Sequence, residues 1–181
     1  VQRQWRAAVA KRVAGPVVFV EGDAVVPVAA VSDHAEFAAR TLRPKIHRLL
    51  AEYLKPIQAL PVAVPSSGLV KRSLKLDDPN ALCRRLGVDA SVPAAAGIAG
   101  GRAAAEKRLA RFLAHRLAEY AEAASDPVAD GCSGLSPYLH FGQISPLEIA
   151  LRVQTADAPR VATDAFLEQL IVRRELSLNA C

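Results

Sequence analysis

Apolar residues recur along this chain in two rhythms, one helical and one extended, and their order outlines an architecture. Between residues 2 and 13, Trp5, Val9 and Val13 fall at helical spacing among arginines and a lysine, which predicts an amphipathic helix with Trp5 as its core anchor. Gly15-Pro16 ends it. VVFVEGD from Val17 and AVVPVAAV from Ala24 are β-branched runs, the second interrupted by Pro27, and they predict short strands. A helix followed by short apolar strands is the order of an α/β domain. Asp33 and Glu36 then stand at capping-box spacing, ahead of a short helix with Phe37 and Leu42 that Pro44 should split. After the proline, Ile46, Leu49, Leu50 and Tyr53 share one face of a second helix, with Arg40, Arg43, Lys45, His47 and Arg48 as its solvated rim.

From Lys55 to Gly101 the rhythm fades into prolines and a glycine-rich tail, broken by one short helix at about Asn80 to Leu86. Residues 102–124 carry the strongest helical pattern: Leu109, Phe112, Leu113, Leu117, Tyr120 and Ala121 recur at steps of three and four. Asp126-Pro127 and Asp130-Gly131 close it. A helix to about Val153 follows, then a polar turn with Pro159, then a last helix that buries Phe166, Leu167, Leu170 and Ile171. On the other side of that helix Gln169 and Arg173 lie one turn apart, a polar pair suited to face a cavity.

Composition narrows this picture only modestly. The 181 residues are 51% hydrophobic and 23% charged, ordinary for a globular protein, and the net charge of +5 permits a polyanionic partner without requiring one. With no membrane-spanning apolar run and no leader at Val1, a soluble cytoplasmic protein is expected. Cys83, Cys132 and Cys181 are too widely spaced for a zinc site or a disulfide framework, so no metal is expected and the cysteines read as small buried hydrophobes. The absence of methionine, and helical patterns already running at both ends, read as an internal piece of a longer chain.

The stretch from Gly131 to Glu148, GCSGLSPYLHFGQISPLE, holds two Ser-Pro helix starts nine residues apart. Ser136 and Ser145 each sit where a hydroxyl can cap a first turn, with proline at the first helical position, and Glu148 completes a capping box with Ser145. The first start follows Cys132-Ser133-Gly134-Leu135, a small hydroxyl-bearing turn that lets a ligand approach the backbone, so it reads either as an anion site or as a plain interhelical turn. SGLSPYLHFGQIS, FLEQLIVRREL from Phe166 and ARTLRPKIHRLLAEYL from Ala39 together resemble the DNA photolyase and cryptochrome family, nearest to the class II cyclobutane-pyrimidine-dimer photolyases.

That resemblance implies the C-terminal part of a Rossmann-like α/β domain over residues 1–54, an interdomain linker over 55–101, and the first helices of an all-helical FAD-binding domain over 102–181. It implies FAD contacts at Tyr120, Ser133, Gly134, Leu135, Ser136 and Arg173, and a contact of Gln169 with a flipped dimer. The partner is DNA containing pyrimidine dimers, the protein a monomer, and the basic rim on residues 40–48 a candidate for DNA phosphates. Two positions depart from the family pattern: Gln169 where glutamate is usual, and Ala124 where arginine is usual. An amide still hydrogen-bonds but carries neither charge nor a transferable proton. Alternatives are a cryptochrome-like photoreceptor and a truncated, inactive piece.

Overall fold

The computed structural model describes residues 2–65, 68, 77–93 and 95–181. In chain order its helices are α1 (Gln2–Arg12), α2 (Val28–Val31), α3 (Ala39–Tyr53), α4 (Pro79–Arg85), α5 (Arg102–His115), α6 (Tyr120–Ala123), α7 (Ser136–His140), α8 (Pro146–Gln154), α9 (Arg160–Leu167) and α10 (Arg174–Asn179). A 3-10 turn, Leu117–Glu119, joins α5 to α6, and a π-helical segment, Glu168–Arg173, joins α9 to α10. Two compact units divide the chain: Val1–Pro56 with Gly100–Cys181, and Ile57–Ala99. The smaller unit holds α4, whose first turn contains Pro79 and is capped by Asp78, its carboxylate accepting from the Ala81 N–H at 3.0 Å.

No strand forms among the described residues, so the Rossmann-like α/β part of the expected fold is not seen and the architecture is helical. Residues 16–22 stay irregular, and Val28–Val31, expected as strand, closes into one helical turn behind Pro27. A β-branched run becomes a strand only beside a partner that takes its backbone groups. Here the N–H groups of Val25 and Val26 donate instead to one carboxylate oxygen of Glu175, at 2.7 and 3.0 Å.

Other local expectations also give way to tertiary contacts. Trp5 is 65% exposed, and α1 is tied to the irregular run by Arg6, which pairs with Glu21 at 3.8 Å and lies over the Phe19 ring. Pro44 sits inside α3 without splitting it. The carbonyl deprived of its donor belongs to Arg40, and both residues are exposed, so solvent can satisfy it. Helix α3 starts at Ala39 because Glu36 makes no capping box; its carboxylate accepts from Ser32 Oγ at 3.0 Å and pairs with Lys45. All three cysteines are exposed, against the expectation that they are buried.

The long helix expected over 102–124 breaks after His115, where Arg116 leaves helical geometry and pairs with Asp130 at 2.8 Å. No glycine or proline marks the break. Beyond it Ala121 turns outward, while Leu109, Phe112, Leu117 and Tyr120 remain buried. Phe112, Tyr120 and Phe166 form an aromatic trio with ring centroids 4.8–5.8 Å apart. Val26, Leu42 and Ile46 join the same cluster as Leu109, Phe112, Ile149 and Leu170, so segments read as parts of two domains here contribute to one core. No helix among the described residues is long and apolar enough to cross a membrane.

Candidate functional site

The turn before α7 is built by close backbone approach. Gly131 lies against the end of α6, where a Cβ would come within 2.5 Å of the Ala123 Cβ. Gly134 has φ +67°, the left-handed region that favours glycine, and a Cβ there would lie 2.2 Å from the Arg108 guanidinium. Arg108, reaching over from α5, donates through Nε to the Ser133 carbonyl at 2.8 Å. By the apolar spacing of α5 this arginine belongs to the outer side of the helix, and nothing local in the sequence signals that it crosses to the turn. A half-exposed cation, a glycine backbone and the neighbouring hydroxyls of Ser133 and Ser136 make a surface that can hold an anionic group.

Both Ser-Pro starts differ in detail from the capped form. Leu135 already has helical φ and ψ, its side chain is buried, and its N–H donates to Ser133 Oγ at 3.3 Å. The helical turn therefore begins one residue early, and Ser136 lies at the exposed start of α7 making no cap bond. Ser145 is the N-cap residue of α8 but its hydroxyl accepts no cap bond either. Glu148 does not turn back to it, because both its oxygens pair with Arg102 at 2.6 Å, a charge-assisted fork that outcompetes a neutral N–H.

Of the other expected site residues, Tyr120 and Leu135 belong to the core. Burial pushes the Tyr120 phenol above its ordinary value, with Cys132 adding to the shift. Gln169 and Arg173 are exposed on the π-helical segment, as their spacing predicts for a polar edge. Arg173 pairs there with Glu168, Nε to Oε1 at 3.6 Å, and Glu168 in turn takes a two-pronged grip from Arg43 of α3, with Nε and Nη2 at 2.7–3.2 Å. Two residues of the expected basic rim are thereby committed, Arg43 to Glu168 and Lys45 to Glu36, while Arg40, His47 and Arg48 stay exposed. Sequence reading missed Arg108 and Glu168. A signal for the π segment did exist: Leu170, Ile171 and Val172 are three consecutive buried residues, more than the narrow inner stripe of a regular helix accommodates easily.

A cleft of about 390 Å³ adjoins the turn, lined by Arg111, His115, Arg116, Glu119, Ala123, Ala129 and Gly131. Its charges are nearly balanced, since Glu119 shares it and Arg116 is paired with Asp130.

Comparison with known proteins bears on the family. The chain is 36% identical over 180 residues, 99% of its length, to the deoxyribodipyrimidine photo-lyase of Methanothermobacter thermautotrophicus, and 37% identical over 189 residues to that of Arabidopsis thaliana. Nearly all of the chain is similar to photolyases. A third relative, the deoxyribodipyrimidine photo-lyase of Potorous tridactylus, is 35% identical across 98% of the chain. The chain spans 38% of the length of the first two photolyases and 34% of the third. No protein-family model matches it.

Proposed function

We propose that the protein carrying this chain repairs cyclobutane pyrimidine dimers in DNA with light, as a photolyase of the class II type that binds FAD. The observation that carries this reading is 35–37% identity to three deoxyribodipyrimidine photo-lyases over nearly the whole chain. The residues present fit a flavin dinucleotide. At Gly134 the Arg108 guanidinium fills the place a Cβ would take, so a cation lies against the turn beside the Ser133 and Ser136 hydroxyls, where a pyrophosphate would meet all three. Ser136, free of capping duty, is available for that contact. Leu135 and Tyr120 give the apolar and aromatic footing beneath it, and Arg173 offers a planar cation at the ring edge.

When bound, reduced FAD supplies a light-driven electron to the dimer and takes it back once the cyclobutane ring has opened. The protein's part is to hold, orient and exclude water. Gln169, one turn from Arg173, hydrogen-bonds the flipped dimer through its amide, and exposed basic residues such as Arg40 and Arg48 contact phosphates without reading sequence. Residues 1–54 and 102–181 would then be adjoining parts of an α/β domain and a helical flavin-binding domain.

The test uses the complete protein, purified in the dark, and an oligonucleotide with a single thymine dimer. Flavin absorbance together with blue-light-dependent loss of the dimer supports the proposal. Bound flavin without dimer loss favours a photoreceptor, and absence of flavin removes both readings. Gln169→Glu sharpens the result: at matched flavin occupancy its quantum yield should exceed that of the parent, because a carboxylate adds charge to the same hydrogen-bonding geometry. An equal or lower yield removes the dimer contact from Gln169.

A further inference from the structure

We propose that Glu168, gripped by Arg43, is the positioning residue that sets Arg173 for its ligand; the inference rests on the reading that Arg173 meets the flavin. Glu168 and Arg173 are five residues apart. At about 100° per residue, an unbroken α-helix would put them about 140° apart around the axis, out of reach of each other. The segment Glu168–Arg173 is instead π-helical, with a hydrogen-bonding repeat of five that brings such residues one above the other, and the two pair at 3.6 Å. The same widening keeps Gln169 beside Arg173, so Glu168, Gln169 and Arg173 line a single exposed edge.

That arrangement is fixed from outside the helix. Arg43 donates to both oxygens of Glu168, and its own position is fixed by Leu42 and Ile46, which flank it in α3 and are fully buried. On the π segment, Phe166 on one side and Leu170, Ile171 and Val172 on the other anchor the backbone in the core. The carboxylate thus stands between an arginine that is held and an arginine that is 55% exposed. Without it, Arg173 is a long side chain with many rotamers, and ordering it would cost entropy at the moment of binding. With it, the guanidinium is already aligned along one edge, and Glu168 acts on the ligand only through Arg173.

The experiment titrates FAD into the flavin-free complete protein, following fluorescence quenching and the fine structure of the flavin absorption band. It compares Arg173→Ala, Glu168→Gln, Arg43→Lys and the double variant Glu168→Gln/Arg173→Ala. Positioning predicts that Arg173→Ala weakens binding about tenfold and Glu168→Gln about three- to tenfold, with the band altered alike in both. The double variant should be no weaker than Arg173→Ala alone, because neighbours acting through one contact are not additive. Arg43→Lys keeps the charge but loses the fork and should fall between the parent and Glu168→Gln; it stands in for Glu168→Gln if thermal melts show that variant unfolded. If Arg173→Ala binds FAD as the parent does, the flavin reading of Arg173 fails, and the inference with it. If Arg173→Ala weakens binding while Glu168→Gln does not, or if the double variant shows the full product of the two effects, the positioning inference alone is overturned.

Discussion

Two buried carboxylates hold the two ends of the segment from Val25 to Glu36, and they stand in opposite states. Glu175 of α10 receives the N–H groups of Val25 and Val26, and Glu36 lies at the other end beside Lys45. Both are nearly covered, at 2% and 5% exposed, but Glu175 lies deep in the core and Glu36 just beneath the surface, so loss of solvent weighs most on Glu175. Burial pushes the Glu175 carboxyl up to about 7; the Val26 and Val25 N–H groups and then Arg174 pull it down, and Glu21 raises it further. The hydrogen bond from Lys45 holds Glu36 down to about 2, helped by Thr41 and Ser32. Beneath the surface a cation in direct contact outweighs a small desolvation, whereas deep in the core two backbone dipoles do not offset a large one. Among the described residues Glu175 Oε2 and Arg174 Nε are buried without a hydrogen-bond partner, which marks that end as the strained one.

Removing the strained clip should have the largest effect. In Glu175→Ala the Val25 and Val26 N–H groups stay buried and lose their acceptor, a cost of about 1–3 kcal/mol for each and so roughly 2–6 kcal/mol in all. Urea unfolding at pH 6 measures it. A loss under about 1 kcal/mol would mean that the segment finds other acceptors at little cost.

The titration of Glu175 gives the next effect. Its folded value lies above the ordinary 4.5, so the folded state binds the proton more tightly than the unfolded one. The stability it contributes is fully present below pH 4.5 and is lost as pH rises through about 7. At about 1.4 kcal/mol per unit the swing is roughly 3 kcal/mol. Glu175→Gln should flatten this limb, because a neutral amide accepts the same two N–H groups at every pH. A melting profile over that window that keeps its slope in the variant would assign the titration to another group.

These contacts show where sequence reading stops. Periodicity is a local property, and it found the buried faces of α5 and α9 through Leu109, Phe112 and Phe166. It also put Gln169 and Arg173 on one polar face, suited to a cavity; in the structure both are exposed. What it missed was decided by residues far away in the chain. The runs around Val25 read as strands because β-branching is local, but a carboxylate 150 positions later takes their N–H groups. Glu148 has the spacing of a capping box, yet Arg102 claims it. Arg108 looked like a solvent-facing residue of α5 and lies instead against Gly134. The break at Arg116 has no glycine or proline to announce it, only an ion pair with Asp130.

Asn179 joins the two carboxylate corners and ranks third. Its Oδ1 accepts from the Glu36 N–H at 2.5 Å and its Nδ2 donates to the His34 carbonyl at 3.0 Å, so both faces of one buried amide are used. Asn179→Ala should cost about 1–2 kcal/mol in urea unfolding, and Asn179→Asp should recover part of it by keeping the acceptor. Equal losses in both variants would show that the Nδ2 bond to the His34 carbonyl, which both remove, and not the Glu36 contact, is what Asn179 contributes.

The smallest effect near neutral pH is expected at the quiet end. Glu36 is held well below its ordinary value, so its contribution has the reverse sign: present above pH 4.5 and lost only as pH falls toward 2. In the parent this limb therefore lies in strong acid, apart from the Glu175 limb. Lys45→Met keeps much of the stem that covers Glu36 and removes the cation. The carboxyl is then left with Ser32, Thr41 and His34, whose Nε2 lies 3.4 Å from Oε1; its value rises, and the acid limb moves up in pH. In a Glu175→Gln background, where the other titration is silent, melting temperature against pH between 2 and 6 reads this shift directly. If the acid limb of Lys45→Met coincides with that of the parent, the hydroxyls and His34 keep Glu36 ionised, and the contrast between the two corners does not come from the lysine.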